Sequence, residues 1–561
     1  MKKRIAVILF FILPATLPAQ PLVPDWLTPG YCTYSNDSRV LDVVTDSQGN
    51  IYAAGTCYDT LTFGSLVTVY PPNSSRNAFV AKFDAAGNPL WVTPIYGPGN
   101  EEFLYLALSN NDHLYVTGTF DDSIVVLDTI TLVHQSARDN YIAYFDTSGH
   151  ALWALSGTGN GSEITHGVAT DSQGNAIIIG YLVVGTVPAT LQFGNVVLQD
   201  ANLHTDMLYL FKFSNTGNVL WGQQLYTDQG LGNLCGVNDI GVDSLDNIYL
   251  CGAFWAPTLY FSGSPLMLQS SNNQGPYLGD IFVCKYSPSG TLLYAHKTGT
   301  TAGETAQVIA VNPGGDFFLS GTFTNSIQLG NSLTNADATG QTDDAFVAHY
   351  SNAGFPQWGR RISSGDNDLP VSLARDGQGG VYLLDISDLG TILVDTVLYT
   401  GYKKFIAQFS GAGVVQGITP VLTSGTMYPN TITRDANNNV IQGGSFINTI
   451  VFNGVSYVDP PGTGGTAYVA RFTPPALSVQ STLSDDPGLK VFPNPSSGEI
   501  TLLLNGDYLY VSIFDMDGRL VFEEPVQQLQ QLLVQINHPG MYLVKAIGEK
   551  RVQYKTIAIT E

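Results

Sequence analysis

The residues best placed to do chemistry in this chain are five aspartates that recur in similar short turns: Asp46, Asp171, Asp243, Asp376 and Asp435. Carboxylates repeated on one rim could hold calcium or another hard cation. Asp at the head of a turn also caps its own backbone, which is sufficient reason for its presence. Four tryptophans, Trp91, Trp153, Trp221 and Trp358, recur in the same way. They read as packing between repeats, or as a row of platforms for stacking sugars. The 8 histidines are scattered without metal-ligand spacing, and no GxSxG, HExxH, CxxC or GxxxxGK occurs. The run DMDGR, from Asp515 to Arg519, could be a calcium loop, but the ligand series ending in Glu is missing. No catalytic, cofactor-binding or metal residue is therefore assigned, and calcium is the one cofactor left open.

Composition narrows the partners. Only 12% of the 561 residues are charged, yet the formal net charge is -23. Nucleic acid needs clustered Lys and Arg to displace counterions, so it is excluded as a partner. A hydrophobic fraction of 44%, with 27 Phe, 29 Tyr and 59 Gly, fits large β cores and tight turns. The first residues, MKKRIAVILFFILPATLPAQ, read as a secretory signal peptide over 1–19, cleaved between Ala19 and Gln20. Its apolar run is too short to cross a bilayer and no later stretch reaches that length, so no transmembrane segment is expected. Export permits disulfides. Cys32 with Cys57, and Cys235 with Cys251, are open pairings because each flanks a predicted hairpin.

Anchor segments such as AFVAKFDAAGNPLW, YIAYFDTSGHALW and LYLFKFSNTGNVLW return at spacings of roughly 60–70 residues, which marks a repeat array. Between anchors an Asp-type turn residue precedes a glycine in fixed register: Asp46 with Gly55, Asp171 with Gly180, Asp243 with Gly252. In one copy Asp376 meets Asp385 where glycine is expected. Each unit reads as four to five short strands joined by Asp, Asn and Gly turns, without helical periodicity. Repetition of such units over residues 20–473 predicts a seven-bladed β-propeller. Separate β-sandwiches are the rival, but each normally needs ~100 residues. Trp26 stands before Asp46 much as Trp153 stands before Asp171, as if it ended a unit whose beginning lies elsewhere. Residues 25–27 are thus expected to pair with residues 467–472 and clasp the array shut. These units resemble exported bacterial β-propeller repeats with the D-x-x-G-N-x-Y-x-x-G signature, a resemblance that implies architecture and leaves function open.

Residues 474–488, rich in Pro, Ser and Asp, read as a linker. Residues 489–561 alternate short strands and turns, which predicts a small antiparallel, Ig-like β-sandwich. This segment is similar to the type A C-terminal sorting domain of the type IX secretion system. Pro493, Asn494 and Pro495 match its opening, Asp515, Gly518 and Arg519 its turn, Gly540, Tyr542 and Lys545 a later strand, and Lys555 its basic position near the end. The resemblance implies that the secretion machinery reads the tail and that a sortase removes it, leaving the body released or attached to the surface.

Function is expected in what differs between repeats, above all the long polar insertions at 226–238 and 265–280. The preferred expectation is a noncatalytic binding or adhesion module for a glycan or protein ligand. The alternative is an exported polysaccharide hydrolase or lyase, which would show paired carboxylates ~5–10 Å apart in a deep central pocket. A purely structural surface component is the third reading.

Overall fold

A computed structural model describes residues 21–32, 38–58, 60–70, 76–135, 138–183, 189–199, 206–227, 235–271, 279–300, 302–337, 341–387, 390–401, 403–421, 426–459, 465–474, 489–494, 496–504, 508–515, 520–526, 531–548 and 552–559. Every regular element among them is a β-strand, and neighbouring strands within each sheet are antiparallel. The chain divides into two compact units, residues 1–475 and 476–561.

In the first unit four-stranded sheets recur, with strands called a to d in order from one edge. The first sheet consists of Arg39–Thr45, Ile51–Cys57, Asn77–Phe83 and Pro89–Tyr96. Five more follow in chain order, with a strands Glu101–Leu108, Ser162–Thr170, Cys235–Val242, Glu304–Val311 and Asp368–Arg375. A seventh among the described residues takes strands a to c from Thr426–Arg434, Val440–Ile447 and Thr466–Thr473, and its d strand from Val23–Cys32. That last pairing sets Trp26 opposite Arg471 and Leu27 opposite Ala470, as the position of Trp26 predicts. Each a strand packs beside the next, and the first lies against both the second and the seventh.

The apolar core lies between consecutive sheets, because b and c strands are buried on both faces. Ile177 and Leu210 of the third sheet share a cluster with Leu250 and Phe282 of the fourth. Val40 and Ile51 of the first share another with Ile441 and Val469 of the seventh. Burying a Leu, Ile or Phe contributes ~1.5–3 kcal/mol each, so every sheet depends on its neighbours for most of its stability.

The stretch read as one extra strand per unit is a two-stranded hairpin, so each unit holds six strands or more rather than four to five. Several of these hairpins extend the d edge of the preceding sheet: Leu61–Phe63 pairs with Val23–Cys32, and Ile124–Leu127 with Pro89–Tyr96. They cover an edge that would otherwise offer open backbone groups.

One of the two open cysteine pairings is not made. Cys235 stands opposite Phe254 while Cys251 stands opposite Asp239, and Cys251 is a buried free thiol. Cys32 pairs in register with Leu61 and Cys57 with Asn77, both within one core cluster.

The second unit contains a three-stranded sheet, Leu489–Phe492, Glu499–Leu504 and Gln531–Gln535, and a four-stranded sheet built on Tyr508–Asp515 and Gly540–Gly548. The two sheets share a core that includes Ile500, Leu502, Val511 and Val544.

Candidate functional site

The repeated aspartates sit where strand a turns into strand b. Asp46 Oδ1 accepts the N–H groups of Gln48 (3.0 Å) and Asn50 (2.8 Å), and its Oδ2 accepts the Asn50 side chain (2.8 Å). Asp171, Asp243 and Asp435 make the same three kinds of bond, and Asp376 the two to its backbone. Strand c adds a cation beneath three of them: Lys212 lies 2.8 Å from Asp171, Lys285 3.4 Å from Asp243 and Lys82 3.7 Å from Asp46. Burial alone would push Asp171 up, but hydrogen bonds from Lys212 and Asn175 outweigh it and hold the carboxyl below its ordinary value. Asp243 goes the same way through Asn247 and Tyr249. These carboxylates are spent on their own turns.

The tryptophans join neighbouring sheets. Trp91 Nε1 donates to Thr147 O (3.0 Å), Trp153 to Asn215 O (2.9 Å), Trp221 to Pro288 O (3.2 Å) and Trp358 to Gly411 O (2.9 Å). In each case the indole covers the glycine of the next sheet's c–d turn, and Trp26 covers Gly87 likewise. Gly55, Gly180 and Gly252 each face a backbone carbonyl about where a Cβ would stand, 2.1, 2.0 and 2.0 Å away, so no side chain fits there. These positions serve the packing of strand b against strand a.

What the a strands enclose is a cavity of about 860 Å³. Every a strand carries a register shift near its middle, at Val40/Asp42, Glu102/Tyr105, Thr165/Gly167, Val237/Asp239, Ala306/Val308, Pro370/Ser372 and Pro429/Thr431. A bulge turns its extra residue away from the ladder, here toward the cavity wall. The residue after it laces one a strand to the next. Asp42 accepts from the N–H of Val43 (2.8 Å) and of Leu106 on the neighbouring strand (2.8 Å), and from Thr431 Oγ1 (3.2 Å). Asp239 accepts from Ile240 N (2.8 Å) and from Ile309 N on the next strand (2.9 Å). Ser372 exchanges bonds with Ile432 in the same position. Both aspartates keep some surface open to the cavity yet lie deep among protein atoms. Burial pushes Asp42 up to about 6 and Asp239 up to about 7.

At the mouth where the a strands begin, the second sheet departs from the rest. Its bulge is longer and holds Phe103 at φ 53°, a left-handed conformation costing a bulky residue on the order of 1–3 kcal/mol. Phe103 lines the cavity below Arg138, whose guanidinium stands 5.8 Å from the ring centre. His166 lies 6.2 Å from Phe103, 6.5 Å from Tyr105 and 5.1 Å from Tyr181, ring to ring. Burial lowers His166 to about 4, so it is a neutral ring at physiological pH. Around them Arg76 pairs with Glu102 and bonds Tyr58 (2.7 Å), while Arg138 lies 3.7 Å from both Glu102 and Asp121. Arg76 and Arg138 thus have carboxylate partners, Arg39 lines the cavity beside them, and aromatic faces are exposed among these charges.

Sequence reasoning did not bring these mouth and cavity residues together. The usable signal was proline: Pro370 and Pro429 stand inside strands immediately before the bulge, where Pro removes a ladder bond. Of the long insertions, 228–234 and 272–278 lie outside the described residues, as do the cleavage position Ala19–Gln20 and the tail residues Pro495, Gly518 and Arg519. In the tail, Pro493 and Asn494 follow the first strand, and Asp515 ends its strand opposite Tyr542. Tyr542 is buried and donates to His538 O (2.8 Å). Gly540 opens the same strand, and Lys545 pairs in register with Ser512 and Tyr554. Lys555 stands opposite Val544 on the last strand.

Residues 490–560 match the secretion system C-terminal sorting domain. The chain is 25% identical over 250 residues to an uncharacterized WD repeat-containing protein of Acanthamoeba polyphaga mimivirus, an alignment spanning 38% of this chain and 17% of that protein's length. Among solved structures, a protein of unknown function from Dyadobacter fermentans is 9% identical, covering 79% of this chain and 98% of its own, with a TM-score of 0.33. PorZ of Porphyromonas gingivalis, a surface component of the type IX secretion system, is 9% identical over 95% of this chain and 100% of its own, with a TM-score of 0.15. Scores this low leave the role of the body to its own geometry.

Proposed function

Residues 490–560 sort this chain through the type IX secretion system as a secreted or outer-membrane-attached protein, and from that premise we propose that the body is a seven-bladed β-propeller acting as a noncatalytic binding module. The run of a strands from first to seventh and back to the first supports the propeller, as do the core clusters that join each sheet to the next. The observation that carries the binding role is the mouth of the cavity. A strained Phe103, a neutral His166 and Tyr105 present ring faces to the cavity, which suits a saccharide stacked on them. Backbone strain of this kind persists where the surroundings impose it, and it concentrates at ligand sites.

Hydrolysis is the weaker reading. The two cavity carboxyls, Asp42 and Asp239, have the raised values an acid catalyst needs, but each already accepts backbone N–H groups on both oxygens. Glycan arrays probed with the full chain, with released products followed in the same wells, separate the readings. Binding without products, lost in Phe103→Gly, is the expected result. Products that disappear in Asp239→Asn would overturn it.

A further inference from the structure

The a strands end at the rim opposite that mouth, beside a second pocket of about 310 Å³. It is lined by Arg375 and Arg434 together with small and apolar residues such as Gly241, Val311, Ala374 and Thr433. The two arginines are the last residues of the a strands of the sixth and seventh sheets, which pack side by side.

Their surroundings are unusual for this chain. With 46 Asp and Glu against 23 Lys and Arg, a cation here ordinarily finds a carboxylate. Arg76, Arg138, Arg360, Arg361 and Arg471 each do. Among the described residues no ion pair or hydrogen bond reaches the guanidinium of Arg375 or of Arg434. The aspartates that follow them in sequence are committed elsewhere. Asp376 accepts from Gln378 N (2.8 Å) and Gly380 N (2.7 Å), and Asp435 from Asn437 N (2.9 Å) and Asn439 (2.8 Å to N, 2.7 Å to Nδ2). Burial, and then the charge of Arg434, push Arg375 below its ordinary value, as two like charges on one pocket without a counter-ion should.

The turn beside them is shaped for this. Gly377, at φ 74°, follows Asp376, whereas Ser47, Ser172, Ser244 and Ala436 follow the equivalent aspartates. A Cβ at 377 would stand 2.6 Å from Arg434 Nη1, so a side chain there would displace the guanidinium from its present position.

We propose that Arg375 and Arg434 form a binding site for one oxyanion group, a carboxylate, sulfate or phosphate, at the end of the passage opposite the aromatic mouth. Paired planar guanidinium forks match such groups bidentately, and a bound anion relieves the repulsion between them. The site stands on its own pocket and does not depend on what fills the larger cavity. The shared chemistry has two sources, a free inorganic ion or an acidic sugar.

Calorimetric titration of the full chain at low salt, with inorganic phosphate, sulfate and glucuronate in separate runs, tests this. One site per chain is expected for at least one probe. Phosphate or sulfate binding marks an inorganic ion, and tighter glucuronate binding marks an acidic sugar. Arg375→Gln and Arg434→Gln should each weaken binding tenfold or more with the unliganded Tm unchanged or raised, because either variant relieves the repulsion. Gly377→Ser, which keeps both charges and crowds Arg434, should weaken it threefold or more. Absence of binding by all three probes to the wild type, or equal affinity in the two arginine variants, would overturn the site.

Discussion

The two ends of the a strands treat the same residue types in opposite ways. Where the strands begin, carboxyls are buried at their first residues. Burial pushes Glu101 up to about 9, helped by Asp121, and Glu304 and Asp368 up to about 7. Where the strands end, the turn aspartates Asp171 and Asp243 are held below their ordinary value by hydrogen bonds from lysine, asparagine and tyrosine. The arginines reverse this pattern. Arg76 and Arg138 at the starting rim are answered by Glu102 and Asp121, and the pair at the ending rim is not. Charge in this body is compensated turn by turn, so the place where compensation lapses is the place where a ligand is most clearly called for.

The largest expected effect tests the carboxyl half of the contrast. A carboxyl with a raised folded value keeps its proton in the native state after the unfolded chain has lost its own, so stability declines as pH rises between the two values. The starting-rim acids should therefore lower stability progressively from about pH 5 to about pH 9, by on the order of 10 kcal/mol in total. The ending-rim aspartates act oppositely, and their contribution disappears only as pH falls through their depressed values, below about 4. Denaturant unfolding across this range should show its maximum near pH 4–5. A maximum at pH 8 would break the comparison.

Next in size is the clasp on which both rims depend. Trp26→Ala removes the indole over Gly87 and should cost about 3 kcal/mol, exposing the Val23–Cys32 strand to limited proteolysis. Unchanged resistance would count against closure through this strand. Phe103→Gly should be nearly neutral, within about 1 kcal/mol, because relief of the left-handed strain offsets the lost ring contacts. A substantial loss of stability would make Phe103 a packing residue rather than part of a ligand site. A similarly small effect, of opposite sign to that of Trp26→Ala, concerns Asp385, fully buried in the sixth sheet with both oxygens unpartnered among the described residues, and pushed well above its ordinary value by burial and by Asp368. Asp385→Gly restores the residue found in the other sheets and should stabilise by about 1 kcal/mol, more at pH 8 than at pH 5.

The repeat, its turn chemistry and the Trp26 pairing were legible because they rest on local patterns that recur along the chain. The exception at Asp385 was legible for the same reason. Phe103 and His166 were not, since only a longer bulge and the packing of consecutive a strands bring them to one mouth. Arg375 and Arg434 lie about sixty residues apart in sequence. What marks them is the missing partner, which no sequence pattern displays. The tail was legible from ordered motifs, and its match over residues 490–560 agrees with that reading.

The most direct test of the account is one titration made on two variants. Phosphate, sulfate or glucuronate, whichever the wild-type chain binds, is titrated into Arg375→Gln/Arg434→Gln and into Arg39→Gln, which alters a cavity-lining arginine near the opposite mouth. Loss of at least tenfold in the first, with affinity in the second unchanged, is the predicted result. Equal losses in both, or loss only in Arg39→Gln, would show that the two ends do not differ as described.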